Sequence, residues 1–374
     1  MSTAAHKSPV TDWTVVVPVV ALLAVVFSWG RDLPGFAVAL VALCLGGAVL
    51  AAVHHAEVVA LRVGEPFGSL VLAVAVTVIE VALIVTLMAD GGDKTASLAR
   101  DTVFAAVMIT CNGIVGLSLL AGALRNRVTV FNAEGSGAAL ATVATLATLS
   151  LVLPTFTTSK PGPEFSTAQL AFAAVASLAL YGLFIAVQTV RHRDYFLPVA
   201  TEAGAKKPDG SGDGDGEHAE PPSSRAALVS LGLLLVALVA VVGDAKAVSP
   251  TIETGVAKAG LPNAVVGVII ALLVLAPETL AAVRAARRDR VQTSLNLGYG
   301  SAIASIGLTI PAIALATIWL SGPLLLGLGP VHMVLLALTV VVSALTIAPG
   351  RATLLQGGVH LVLLAAYLFL AVSP

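Results

Sequence analysis

Charge is scarce in this 374-residue chain, where Asp, Glu, Lys and Arg together make up 11% of residues. A soluble domain carries about a quarter, so a large solvated surface is excluded. Neither sign dominates: twenty basic residues face twenty-one acidic ones, for a net charge of −1. No charge excess argues for a nucleic-acid partner. Cysteine is nearly absent too. Cys44 and Cys111 both fall inside apolar runs, which argues against a disulfide framework and for reduced packing residues. His-Glu-x-x-His and Gly-x-Ser-x-Gly do not occur, and Val241-Val242-Gly243-Asp244 lacks the leading glycine of an intramembrane aspartyl protease motif. The sequence therefore argues against an enzyme.

What is present is hydrophobicity. Apolar residues reach 57% and the mean hydropathy is +0.98, the composition of a polytopic membrane protein with the lipid bilayer as its surroundings. Runs long enough to span a bilayer as helices predict an all-α fold of eleven transmembrane helices, at 13–29, 35–61, 67–89, 102–124, 137–154, 168–190, 226–243, 262–283, 293–318, 330–347 and 353–372. Lys7 precedes the first run, but Ser28-Trp29-Gly30 follows it in place of a small-residue cleavage site, so the run reads as a retained helix. Alternating the connections puts Arg31, Lys94, Arg100, Lys160, Lys246 and Lys258 on one side and the other fourteen basic residues on the opposite side. Basic residues favour the cytoplasm, which predicts a cytoplasmic N-terminus and an outside C-terminus.

Residues 194–225 make the one long polar connection, rich in Gly, Ser, Pro and acids (Asp209, Asp213, Asp215, Glu217, Glu220). It reads as a flexible linker. The expected organisation is an N-terminal tail and first helix (1–34), a five-helix repeat (35–193), this linker, and a second five-helix repeat (226–374). An odd number of spans per half makes the two repeats inverted, an architecture of many secondary transporters.

Two carboxylates stand out. The run FGSLVLAVAVTVIEVALIVTLMA (67–89) carries Glu80 roughly 20 Å from one end and roughly 14 Å from the other. An acid at that depth costs about 2.5–3.5 kcal/mol, and no Lys or Arg within the run pairs with it. Two hundred residues on, PNAVVGVIIALLVLAPETLAAV (262–283) carries Glu278 directly after Pro277, and the proline is expected to break the helix near the carboxylate. Matched interruptions in two halves point to a midplane ion site, neutralised by a proton or a metal cation. The following helices supply oxygens for a hard cation: Thr110 and Asn112 in AAVMITCNGIVG, then Asn296, Ser301 and Ser305 in NLGYGSAIASIGLTIP. Glu57, near the cytoplasmic end of the second helix, either snorkels to the interface or passes protons to the site. His54 and His55 beside it read as interfacial.

These segments carry a resemblance. GEPFGSLVLAVAVTVIE (64–80) and LAPETLAAVRAARRDRVQTSLNLGYGSAIASIGLTIP (275–311) resemble the two signature repeats of the calcium/proton antiporters in the cation/calcium exchanger superfamily. QTVRHRDYFLP (188–198) and QGGVHLVLLAAYLFLA (356–371) bring the bacterial ChaA-type branch nearest, and with it a bacterial plasma (inner) membrane. The resemblance implies that Glu80 and Glu278 bind the metal ion and that the Gly300-Ser301 turn contributes. Where the wider family has Gly-Asn-x-x-Glu, this chain reads Val76-Thr77-Val78-Ile79-Glu80 and Val274-Leu275-Ala276-Pro277-Glu278. Thr77 keeps an oxygen at the asparagine position; Leu275 does not.

The expected function is secondary active antiport, exporting one Ca2+ for about two H+. Two carboxylates facing each other away from water repel, so the empty site takes up protons until a divalent ion displaces them. Calcium and protons are then substrates, and no resident cofactor is expected. The alternative is sodium or potassium exchanged for protons on the same scaffold. A channel is disfavoured because no repeated filter-like loop is present.

Overall fold

The computed structural model describes residues 12–31, 33–64, 67–91, 95–199, 222–320 and 322–373. They form eleven long helices: α1 Trp13–Ser28, α2 Gly35–Val63, α3 Phe67–Gly91, α4 Leu98–Asn126, α5 Ala133–Phe156, α6 Thr167–Arg191, α7 Ser224–Lys258, α8 Ala264–Arg287, α9 Val291–Ala316, α10 Pro330–Ile347 and α11 Leu354–Val372. All but α1 are long and apolar enough to cross a membrane; α1, at 16 residues, is shorter. All eleven expected helices are present.

Local chemistry sets the starts. Ser166 and Gln169 form a reciprocal capping box at α6, as Thr353 and Gln356 do at α11. Asn132 caps α5 by accepting from the backbone N–H groups of Glu134 and Gly135. Inside α4, residues Ile109–Ile114 widen into a π-helical turn, and Thr148–Val152 do the same in α5.

Contacts between connecting turns reveal how the halves are related. Strand β1 (Val128–Val130), between the third and fourth helices of the first half, pairs antiparallel with β2 (Arg351–Thr353), between the fourth and fifth of the second. On the opposite face, the Gly327 N–H donates to the Pro163 carbonyl at 3.0 Å, joining the α9–α10 turn to the α5–α6 turn. Halves running the same way would put these turns on opposite faces. The second half therefore runs inverted to the first. Arg62 donating to Ser224 Oγ at 2.8 Å, and Arg125 to the Arg287 carbonyl at 2.6 Å, belong to the β1–β2 face. That face gathers most of the described arginines.

Three expectations need correction. The seventh helix does not end at Gly243 but continues to Lys258, about 52 Å at 1.5 Å per residue. Asp244 thus lies inside it, fully buried. Hydropathy stops at the first charge, whereas α7 continues because α2 packs along it, with Val248 meeting Val38 and Val41. Pro277 does not break α8, which runs unbroken past Glu278; a proline removes only its own N–H bond, and the surrounding helices hold the rest. The interruption sits instead in α4. Finally, the first residues of the polar connection belong to the folded body: Arg193–Phe196 form a 3-10 turn, and the Phe196 ring meets Phe184 edge-on at 5.9 Å. The acidic stretch proper lies outside the described residues.

Packing gathers around two main cores. One joins α4, α5, α6 and α9–α11. The other joins α1, α2, α3 and α7. Helix α8 contributes Val268 and Ala271 to the first and Ile270 and Val274 to the second, so it lies on the seam.

Candidate cation and proton site

Glu80 on α3 and Glu278 on α8 both face one cavity of about 220 Å³ on that seam. Both are nearly sealed from solvent, at 4% and 9% exposure. Helix α9 closes the third wall. Ser305 on α9 lies 2.7 Å from Glu80 Oε1 and 2.9 Å from Oε2, so its single proton serves both oxygens. Glu278 Oε2 is buried without a partner. Neither carboxylate has a salt bridge among the described residues.

Small residues let α9 approach. A Cβ at Gly307 would lie 2.8 Å from Tyr181 Cβ, inside normal contact. The Ala302 and Ala304 side chains are similarly packed away. The close approach brings Gly300, Ser301 and Ser305 to the cavity wall opposite Thr77.

The cavity brings together Glu80, Glu278, Thr77, Asn296, Gly300, Ser301 and Ser305 from the sequence reading. Asn296 is a wall rather than a free ligand. Its amide donates to the Phe196 carbonyl at 2.6 Å and accepts from Gln292 at 2.8 Å. Asn112 is elsewhere. From the π turn of α4 it donates to Thr339 Oγ1 at 2.9 Å, and its oxygen meets His360 Nδ1 at 3.2 Å, in a buried network that ends on Thr346. Glu57 is exposed on α2 and does not line the cavity, although Arg284 lies within its electrostatic reach.

Gln188, Thr293 and Tyr181 also line the cavity and were not singled out from sequence. Gln188 opens the QTVRHRDYFLP segment and Thr293 lies inside the second repeat, so the segments carried the signal without the residues. Leu72, Gln188 and Thr293 place the cavity mouth toward the β1–β2 face.

On the far side of the carboxylates lies a second chamber of about 200 Å³, walled by Leu83, Leu87, Ile270 and Leu273. Beyond it a polar vestibule of about 620 Å³ carries Asp101, Glu253 and Asn263. Leu87 and Val266 wall both spaces. The order along α3 and α8 is therefore mouth-side cavity, carboxylates, apolar plug, polar vestibule.

A nearly all-helical multi-span membrane protein with inverted halves, and a buried carboxylate pair between them, has the construction of an ion carrier. The chain belongs to the sodium/calcium exchanger protein family, whose model matches residues 33–190 and 229–373. It is 43% identical over 369 residues to the putative ionic transporter y4hA of Sinorhizobium fredii, covering 97% of this chain and 96% of that protein. It is 36% identical to the sodium-potassium/proton antiporter ChaA of Escherichia coli, covering 97% of each. Its fold matches the crystal structure of an H+/Ca2+ exchanger, CAX, with a TM-score of 0.67 at 16% identity, over 95% of this chain and 86% of that one.

Proposed function

We propose that the chain is a secondary active antiporter that moves calcium out of the cytoplasm in exchange for protons, with Glu80 and Glu278 as the exchanging pair. The observation that carries this reading is that one carboxylate from each inverted half enters a single cavity without a basic partner. In so little water the two charges repel, and protons or a cation must neutralise them. A divalent ion matches the pair's charge, and the hydroxyls of Thr77, Ser301 and Ser305 suit its preference for oxygen.

The proposed cycle follows from the order of chambers. In this conformation the carboxylates face the β1–β2 side, and the apolar chamber at Leu83, Leu87 and Ile270 blocks a hydrated ion from the other. Shifting the α1–α2–α7 core against the rest would reverse the blockage. A doubly protonated or cation-loaded site makes that passage as a neutral unit, whereas an empty dianion pays full desolvation. Exchange results, one calcium for about two protons. With the arginine-rich β1–β2 face cytoplasmic, the N-terminus is inside, the C-terminus outside, and the membrane is the bacterial inner membrane.

A second reading, sodium or potassium for protons, is favoured by the 36% identical relative named for that activity and by Leu275, which brings no oxygen to the wall. Everted membrane vesicles with an imposed proton gradient decide between them. Gradient collapse on adding calcium, lost in both Glu80→Gln and Glu278→Gln, supports the first reading. Collapse by sodium or potassium alone supports the second. Collapse by any cation that survives both substitutions overturns the site.

A further inference from the structure

Asp244 is the fully buried acid that the exchange scheme leaves unused. It sits on α7 with no exposed surface, and neither carboxylate oxygen has a hydrogen-bond partner. Helix α1 closes over this part of α7, since a Cβ at the preceding Gly243 would run into the Val25 side chain. An ionised carboxylate buried in such a seam without a hydrogen-bond donor is strongly disfavoured. A proton on it removes the penalty.

Among the described residues, no ion pair reaches it. Helix α1 contributes no titratable side chain. Helix α2 contributes Cys44, a thiol that brings no positive charge. Glu80 on α3 and Glu278 on α8 line the cavity described above, whose wall does not include Asp244. Lys246 lies two positions on, about 200° around the helix, with Nζ 5.9 Å from the Trp29 ring centre.

The position along α7 gives this proton a way out. The next residue, Ala245, lines the apolar chamber together with Val248 and Ser249, and one residue is about 100° of helix rotation. A movement of α7 that opened the far-side path, as the proposed cycle requires, would carry Asp244 from its seam toward that chamber.

We propose that Asp244 is a second proton-binding site, separate from Glu80 and Glu278, which holds its proton in this conformation and releases it when α7 opens the far-side path. The timing of release rests on the antiport reading; the existence of the site does not.

The test has two arms. Infrared titration of the purified protein follows the C=O stretch of protonated carboxylic acids in a Glu80→Gln/Glu278→Gln background, with and without Asp244→Asn. The proposal expects a band that is present with Asp244 and absent with asparagine. In the second arm, vesicle exchange by Asp244→Asn alone is followed across pH. The substitution keeps shape but cannot ionise, so exchange should slow by about tenfold and lose one limb of its pH profile, while cation binding to the purified protein stays unchanged. No Asp244-dependent band overturns the proposal, and a band with a superimposable exchange profile overturns its release during exchange. A wild type that moves no cation but shows the titrating band sinks the antiport reading and leaves the proton site standing. If Asp244→Asn does not assemble, Asp244→Ser carries both arms.

Discussion

Ser305 Oγ reaches both oxygens of Glu80, at 2.7 and 2.9 Å. The two residues are 225 positions apart and come from opposite inverted halves. The contact ties the cavity carboxylate of the first half to the small-residue helix of the second, and it gives Glu80 a donor that Glu278 lacks at Oε2. The two acids are therefore inequivalent: Glu80 is held by a hydroxyl, and Glu278 Oε2 is left without a partner.

Ser305→Ala removes that donor and leaves Glu80 under-satisfied. A hydrogen bond to a charged group contributes about 1.5–3 kcal/mol, so apparent cation affinity in vesicle exchange should fall by at least about tenfold. Ser305→Thr keeps the hydroxyl and should recover most of it. An alanine variant with unchanged affinity would remove Ser305 from the site.

Leu275 is one of the apolar residues of the cavity wall and lies one helical turn before Glu278 on α8. Leu275→Asn adds an amide oxygen next to Glu278 and should raise the preference for calcium over sodium by about tenfold, within the range one added ligand contributes. Competition between the two cations in the same vesicles measures it. An unchanged ratio would show that this wall does not select.

The proposed exchange has protons and cation competing for the same carboxylates, and the pH dependence takes its sign from that. Raising pH strips the protonated form, so the apparent affinity for the cation rises with pH until the pair is fully ionised. Glu278→Gln should flatten the dependence as well as weaken binding. Affinity that falls with rising pH would contradict competition.

Cavity order predicts labelling from one side. Single cysteines replacing Thr293 and Gln188, both on the cavity mouth, should react with a charged thiol reagent added on the β1–β2 side. Cysteines at Leu273 and Ile270, in the apolar chamber, should resist reagent from either side until a substrate cation drives turnover. Cys44 and Cys111 are changed to serine and alanine beforehand. Equal reaction of all four positions would show that no plug exists.

Asn112 separates structure from ligation. Its bonds run to Thr339 and His360, away from the cavity. Asn112→Ala should lower stability by about 1–3 kcal/mol through unsatisfied buried partners, read as a drop in Tm, while cation affinity in the surviving protein stays close to wild type. A selective loss of affinity with no change in Tm would return Asn112 to the site.

Much of the fold was legible because it follows from hydropathy. Each of the eleven apolar runs became a helix, and the odd count per half implied the inversion that β1 and β2 display. Glu80 and Glu278 were legible for the same reason: a carboxylate in an apolar run is conspicuous. What failed was local. Pro277 looked like a break, yet α8 passes through it, because tertiary packing holds a helix that has lost one bond. Asp244 looked like the end of a span, yet α7 buries it against other helices rather than lipid. Asn112 and Asn296 looked alike as oxygen donors. Only the placement of His360, Gln292 and Phe196 tells them apart, and those partners lie 248, 4 and 100 positions away. Gln188 has no apolar contrast to mark it, since it lies at the π-helical end of α6 beside other polar residues.

The most direct measurement counts protons released when the purified protein binds a cation. Titrating calcium, sodium and potassium calorimetrically in two buffers of different ionisation enthalpy gives protons per ion. The account predicts release of about two protons per calcium ion, or about one per monovalent ion under the second reading, and loss of that release in both Glu80→Gln and Glu278→Gln. Binding that releases no protons, or the same number from either variant as from wild type, would contradict the claim that these two carboxylates exchange one substrate for the other.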